Sequence, residues 1–180
     1  GAGIAYWAFA EVLREEFGVL DTDPPDAAWE KLSSAVEGLM AELGEPEAGE
    51  RNAALLAMPL GIEPPPDAPQ PDEDPKRMRE AMFSAARATV EAMALRRPLV
   101  LAIDDIHWAD EGMLDLLDHL TRWVRAPLLL VCLARDELLE RRTLVGRQCC
   151  RLTSRHMQQL DARQGVLTHR DRRLLLQLEG

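Results

Sequence analysis

Apolar positions in the first sixty residues repeat with the spacing of amphipathic helices. One pattern predicts a short helix that stops at Gly18, and its apolar positions are Trp7, Ala10, Leu13 and Phe17. A second pattern predicts a helix with Asp23 as N-cap and Pro24 in its first turn, ending at Gly44. Its apolar stripe consists of Ala28, Leu32, Ala35, Val36, Leu39 and Leu43. A weaker pattern predicts a third helix over residues 50–57.

Proline then interrupts this helical pattern. Residues 59–75 hold seven of the twelve prolines, so this segment is predicted to be a surface linker that holds neither helix nor strand. Asp74 and Pro75 form the next N-cap and first-turn pair, and the helix they begin is predicted to stop before Pro98. Its buried face is predicted to pack in the core through Met78, Met82, Ala85, Thr89 and Met93.

Two apolar runs without alternation follow, at residues 99–103 and 128–133. Such runs are typical of parallel strands that are covered on both faces. Between them Asp110 begins a helix with an apolar side made of Met113, Leu114, Leu116, Leu117, Leu120 and Val124. Strand, helix and strand in this order predict a βαβ unit, and therefore an α/β fold with a helix-rich N-terminal part.

Composition and charge narrow the class of protein. The 180 residues are 47% apolar, which is enough for one domain or part of a larger one, and no apolar run approaches the roughly 20 residues of a membrane span. We therefore expect no membrane segment. Three cysteines, two of them adjacent, cannot form a disulfide framework, so a reducing, cytoplasmic location is expected.

The charge is uneven along the chain. The formal net charge of −10 argues against a general nucleic-acid-binding protein. Residues 1–140 hold 12 Lys and Arg against 28 Asp and Glu, whereas residues 141–180 hold 9 against 3. The C-terminal part is therefore a compositionally different segment.

The candidate chemistry lies where the first apolar run ends, in the sequence LAIDDIHWAD. Asp104 and Asp105 directly follow the predicted strand, and the carboxyl ends of parallel strands open onto the ligand crevice of such folds. Two adjacent carboxylates repel each other unless cations or hydrogen-bond donors offset their charge. A bound Mg²⁺ would do so, in the arrangement called Walker B in P-loop ATPases. The pattern alone leaves a capping or surface acid pair equally open.

A family resemblance rests on longer stretches around this pair. The segments LVLAIDDIHWADEGMLDLLDHLTRW and PLLLVCLARDELLERR resemble the Walker B and next-strand region of AAA/STAND-type P-loop ATPases. They are most similar to the modules of large bacterial LuxR-type transcriptional regulators and adenylate cyclase-linked signalling proteins. The opening GAGIAYWAFAEVLREEFGVL is similar to the part between the P-loop and Walker B. The resemblance covers residues 1–142 and implies a partial P-loop NTPase-like domain that contains the 59–75 linker.

The resemblance implies roles for three residues. Asp104 would bind the Mg²⁺ of Mg-ATP, directly or through water, and Asp105 would orient or deprotonate the attacking water. Arg135 matches a sensor-type arginine near the terminal phosphate, while a solvated strand-end arginine is its plain alternative. His107 and Trp108 also match the family pattern. Trp108 is interpreted as a packing residue, and no role follows for His107.

The other half of an ATP site is missing from this sequence. No segment reads G-x-x-x-x-G-K-[ST], the phosphate-binding Walker A loop. Residues 44–51 place two glycines correctly but have Glu50 where Lys belongs and Arg51 where Ser or Thr belongs, so we reject them. The resemblance and the absent initiator Met predict that a P-loop lies upstream of Gly1 in a parent protein. The chain alone is then expected to bind Mg-ATP weakly if at all and to show no ATPase activity.

Residues 143–180 fall outside the resemblance. This basic tail is interpreted either as an arm that contacts nucleic-acid phosphates or as a poorly ordered or divergent end. No helix-turn-helix pattern is present, so DNA would be contacted only through a separate domain, and no metal site is expected in the tail. Two functions remain: an incomplete ATP-binding module of a signalling or transcription regulator, or a non-catalytic protein-interaction fragment.

Overall fold

The computed structural model describes residues 6–133, which form a helix-rich α/β arrangement with two parallel strands flanked by helices. The fold class expected from the sequence is confirmed. In chain order the elements are α1 (Trp7–Phe17), α2 (Pro25–Glu42), α3 (Gly49–Leu60), α4 (Pro75–Arg96), β1 (Leu99–Ile103), α5 (Glu111–Trp123) and β2 (Leu128–Cys132). Arg135 and the tail of residues 143–180 lie outside the described residues.

The three predicted N-terminal helices are present and pack together, although Trp7 of the first predicted stripe is 59% exposed and Phe9 is buried instead. Helix α3 contacts α1, α2 and α4, and nine of its twelve residues are buried. Helix α1 ends where Gly18 adopts a φ of 65°, a left-handed conformation that suits glycine at the end of a helix. The largest fully buried side chains of this part include Phe9, Leu13, Leu32, Leu39, Met40, Leu56 and Leu60.

The start of α2 differs from the prediction by one residue. Pro24 occupies the N-cap position and Pro25 is the first helical residue, where its missing N–H costs no hydrogen bond. Asp23 does not cap the helix. Its carboxylate instead accepts hydrogen bonds from the backbone N–H of Leu20 and from Nζ of Lys31, at 2.7 Å each. These bonds hold the turn before α2 against the first turns of that helix.

The proline-rich segment is shorter and better packed than predicted. Pro59 lies inside the last turn of α3, and Pro75 is the first residue of α4, so only residues 61–74 connect the helices. A proline is tolerated in these terminal positions more easily than in the middle of a helix. Ile62 and Ala68 are buried, which anchors the connection to the helices instead of leaving it as a free surface linker.

The two strands form a parallel pair in the register Leu99↔Leu128 through Ile103↔Cys132. Helix α5 connects them, and α4 packs against α5. One face of the pair belongs to the main core, through the buried residues Leu99, Leu101 and Ile103 and the partly buried residues Leu128, Leu130 and Cys132. The βαβ unit predicted from the sequence is therefore present.

The expectation that both strands are covered on both faces is wrong for β2. Leu129 is 56% exposed, although its register partner Val100 on β1 is buried. Among residues 6–133 each strand has one neighbouring strand, so the difference lies in what packs over the face, and this face of β2 is left open at Leu129. No helix in the described part of the chain is long and apolar enough to cross a membrane.

Candidate functional site

The acid pair lies where the sequence placed it, at the carboxyl end of β1. The strand ends at Ile103, which is buried, and Asp104 and Asp105 follow at once as exposed residues. The apolar strand is held in the core while the next two side chains leave it. The sequence thus positions two carboxylates on a rigid element at the edge where parallel strands end.

The backbone turns sharply at the second acid. Asp105 has φ 53° and ψ 33°, a left-handed conformation that is uncommon for a residue with a side chain but is tolerated better by Asp than by most others. Its N–H donates to Oδ1 of Asp104 at 2.8 Å, so the two acids share a local hydrogen bond. A short 3-10 turn, Ile106–Trp108, follows, and the N–H of Trp108 donates to the carbonyl of Asp105 at 3.0 Å.

The residue after β2 joins this turn through its backbone. The N–H of Leu133 donates to the carbonyl of Ile103 at 2.9 Å, and its carbonyl accepts from the N–H of Ile106 at 3.0 Å. These two bonds bracket Asp104 and Asp105 and continue the parallel pairing past the strand ends. The end of β2 is therefore attached directly to the loop that carries the acids.

His107 and Trp108 differ sharply in their environment. The His107 side chain is only 10% exposed, and its Nδ1 lies 3.9 Å from Oδ1 of Asp105, which is beyond hydrogen-bond range. Both ring nitrogens are buried without a hydrogen-bond partner among residues 6–133. Trp108 is 74% exposed, so its interpretation as a packing residue is wrong, although its ring lies 5.1 Å from the His107 ring.

The loop leads into α5 through a well-formed helix cap. Oδ1 of Asp110 accepts a hydrogen bond from the N–H of Met113 at 2.7 Å, as the sequence predicted. Tyr6 packs against this helix start, since a Cβ added at Gly112 would lie 3.1 Å from its hydroxyl oxygen. Burial raises the pKa of the Tyr6 phenol, and the nearby Arg79 opposes that rise. The acid loop is thus fixed at both of its ends.

The residues present fit one part of a Mg-ATP site and lack the other. Carboxylate oxygens are the ligands that Mg²⁺ prefers, and both acids are accessible at a strand end. In the described part of the chain no group of three or more His, Cys, Asp or Glu side chains could hold a metal ion unaided. A cation at Asp104 would therefore need further ligands, such as the phosphates and waters that complete Mg²⁺ coordination in phosphoryl-transfer sites.

Comparison with known proteins defines the class. Residues 1–131 match the family described as the AAA ATPase domain, which is more than half of the chain. Together with the strand-end acids on a parallel α/β core, this match shows that the chain belongs to the AAA ATPase domain family. The family assignment made from the acid motif is confirmed at this level.

A curated relative is also detectable. An uncharacterized protein of Rhizobium meliloti (strain 1021) is 40% identical over 67 residues, which is 37% of this chain. The match covers 6% of that relative, so the matched segment is a small part of a much longer relative. No solved structure gives a significant match.

Sequence reasoning found the position of the acids but missed two properties of the site. The left-handed backbone at Asp105 has no signal in the sequence, because no glycine marks it. The burial of His107 was also missed, since an isolated histidine after two acids carries no periodic pattern. Both properties depend on how the loop is tied to the residue after β2.

Proposed function

We propose that this chain is the Walker B portion of an ATP-dependent regulatory module. The observation that carries the proposal is the acid pair at the carboxyl end of a core strand, inside a segment that belongs to the AAA ATPase domain family. The parent would be a signalling or transcription regulator of the AAA/STAND type, like the LuxR-type and adenylate cyclase-linked proteins that the sequence resembles. The much greater length of the curated relative supports a multidomain parent.

The proposed roles follow from position. Asp104 would hold the Mg²⁺ of Mg-ATP, directly or through water, and Asp105 would orient or deprotonate the attacking water. Arg135 would contact the terminal phosphate as a sensor. Its support is indirect: Arg135 follows Leu133 by two residues, and the backbone of Leu133 brackets the acid pair with hydrogen bonds.

The chain is proposed to be inactive without a phosphate-binding loop. When bound, Mg-ATP supplies the phosphoanhydride bond and a charge distribution that changes on hydrolysis. The residues of this chain would bind the metal side and position water, but the backbone N–H groups and the Lys of a Walker A loop are absent from its sequence. We propose that the parent supplies this loop N-terminal to Gly1, and that a separate domain contacts DNA in the cytoplasm.

Nucleotide binding by the complete parent protein tests the proposal. We expect Asp104→Asn to weaken Mg-dependent binding of a fluorescent ATP analogue by about tenfold or more, because a metal ligand is lost. Asp67→Asn, which removes one charge from the 61–74 connection, is the matched control and should bind the analogue as tightly as the unsubstituted parent protein. Residues 1–180 alone should show no turnover.

The outcomes separate the proposed function from its alternative. If the parent binds Mg-ATP equally well with Asp104→Asn, the assignment of Asp104 is wrong. If the parent binds no nucleotide, or has no G-x-x-x-x-G-K-[ST] before Gly1, the chain is better explained as a protein-interaction fragment. The exposed side chains of Trp108 and Leu129 are apolar surface that such a fragment would offer to a partner.

A further inference from the structure

His107 stands out in the described part of the chain because its ring is buried while neither nitrogen makes a hydrogen bond. The side chain is nine-tenths buried, and both Nδ1 and Nε2 lack a partner among residues 6–133. A buried polar atom without a partner costs free energy, so native structures rarely leave one without a reason. Here the unpartnered ring lies two residues from the second acid of the proposed ATP site.

The carboxylate that faces this ring is free to move, whereas the ring is not. Oδ1 of Asp105 lies 3.9 Å from Nδ1 of His107, and the Asp105 side chain is 63% exposed. Burial and the Trp108 ring at 5.1 Å hold the imidazole in place. A modest rotation of the exposed carboxylate would therefore bring its oxygen within hydrogen-bond range of Nδ1.

The backbone of the turn favours the same contact. Asp105 keeps a left-handed conformation while its N–H donates to Asp104 and its carbonyl accepts from the N–H of Trp108. These bonds fix residues 105 and 107 in one tight turn. Strained backbone is concentrated at functional sites, and a buried polar group without a partner calls for an explanation.

We infer that His107 is a positioning residue for Asp105. The Nδ1–H of its imidazole donates a hydrogen bond to the Asp105 carboxylate and holds it in one orientation toward the water that Asp105 is proposed to orient. This inference rests on the proposed function for its role in hydrolysis, but the contact itself does not. No proton is transferred, and His107 contacts neither metal nor nucleotide.

Nitrogen-15 NMR of the histidine side chains in the 180-residue chain, with all variants compared at one fixed pH, tests the contact. We expect His107 to carry its proton on Nδ1, and Asp105→Ala to shift that nitrogen and to speed exchange of its proton with water. Asp104→Asn is the matched control, because it removes the neighbouring charge, keeps an oxygen that can accept from the Asp105 N–H, and should leave the His107 signals in place. Unchanged His107 signals in Asp105→Ala would overturn the inference.

Steady-state kinetics of the complete parent protein test the role. We expect His107→Ala to lower kcat by about tenfold or more, with KM for ATP within about twofold, because only the orientation of Asp105 is lost. His107→Asn keeps an N–H donor near the position of Nδ1 and should restore part of kcat. His119→Ala removes another partly buried imidazole and controls for a general loss of stability.

The kinetic outcomes are distinguishable from failure of the proposed function. Equal losses in His107→Ala, His107→Asn and His119→Ala would show a structural role and would overturn the inference, as would a change confined to KM. A parent that hydrolyses no ATP would instead contradict the proposed function, and the NMR comparison would still decide whether His107 holds Asp105.

Discussion

Individual side chains in this domain show where packing and polarity conflict. Asp105 adopts a left-handed backbone at the proposed site, a conformation that costs an L-residue about 1 kcal/mol or more compared with glycine. Asn52 is buried and its amide donates to the sulfur of Met40, a weak acceptor, at 3.2 Å. Thr89 is fully buried in α4, and its hydroxyl has no hydrogen-bond partner in the part of the chain that the structure describes.

Thr89→Val should stabilise the protein. The substitution keeps the branched shape of the side chain and removes the unpartnered hydroxyl, so we expect the free energy of unfolding to rise by about 1 kcal/mol. Urea denaturation followed by circular dichroism measures the change. Thr121→Val is the matched control, since its exposed hydroxyl donates to the carbonyl of Asp118 at 2.9 Å. A loss of stability in Thr89→Val would mean that its hydroxyl has a partner in solution.

At the scale of elements, small residues decide how closely the helices approach. Gly49 begins α3 where it crosses α2, and a Cβ added there would lie 2.9 Å from the Cα of Glu37. Gly38 lies inside α2, and an added Cβ meets nothing within 4 Å. The same substitution therefore has opposite consequences at the two positions.

Gly49→Ala should destabilise the domain, and Gly38→Ala should stabilise it. The first forces α2 and α3 apart, and overpacking of this kind costs about 1–3 kcal/mol. The second replaces glycine by alanine in a helix with open space beside it and should gain up to about 1 kcal/mol. Thermal unfolding of both variants and of the unsubstituted 180-residue chain measures the difference. Equal effects would show that the approach of α3 to Glu37 is not close.

The predictions from sequence succeeded for elements whose signals are local. The buried face of α4 from Met82 to Met93 and the Asp110 cap of α5 appear as expected, while Met78 is only partly buried. Side-chain spacing and helix caps depend on neighbouring residues. The predicted start of the linker at Pro59 was wrong, since α3 continues through Leu60 and a proline in the last turn of a helix costs little stability. The exposure of Leu129 was missed because the coverage of a strand depends on what packs beside it.

At the scale of the whole molecule, ion pairs link the helices on the acidic surface. Arg96 at the end of α4 donates two hydrogen bonds to the Glu42 carboxylate at the end of α2, at 2.5 and 2.7 Å. The Arg96 hydrogen bond lowers the pKa of Glu42, and the Lys31 hydrogen bond lowers the pKa of Asp23. These contributions are present above the ordinary pKa of a carboxyl group and are lost as the pH falls through the lowered values.

His119 contributes a pH dependence of folding stability at higher pH than these carboxyl groups. Burial, together with the charge of Arg87, lowers the pKa of His119, while Asp118 raises it slightly. The imidazole packs against the Phe83 ring of α4, with ring centres 5.5 Å apart. Because the folded state binds fewer protons than the unfolded state, His119 makes the protein less stable as the pH falls below about 6.5.

His119→Gln should flatten this pH dependence. As the pH falls from about 7.5 to 5.5, the free energy of unfolding of the unsubstituted 180-residue chain should decrease. That of the variant should decrease less, because glutamine does not titrate. Urea denaturation at both pH values gives the comparison. The carboxyl groups of Asp23 and Glu42 titrate below this window and contribute equally to both chains. Parallel pH dependences in the two chains would contradict the role of His119.

The order of helices and strands, the caps of α4 and α5, and the place of Asp104 and Asp105 at a strand end can all be predicted from the sequence, because they follow from residues close together in the chain. The left-handed turn at Asp105, the burial of His107 and the exposure of Trp108 became visible only in the folded molecule. These features arise where the backbone of Leu133, some thirty residues away, is bonded to both sides of the acid pair. Such a contact joins distant segments, and no local pattern encodes it.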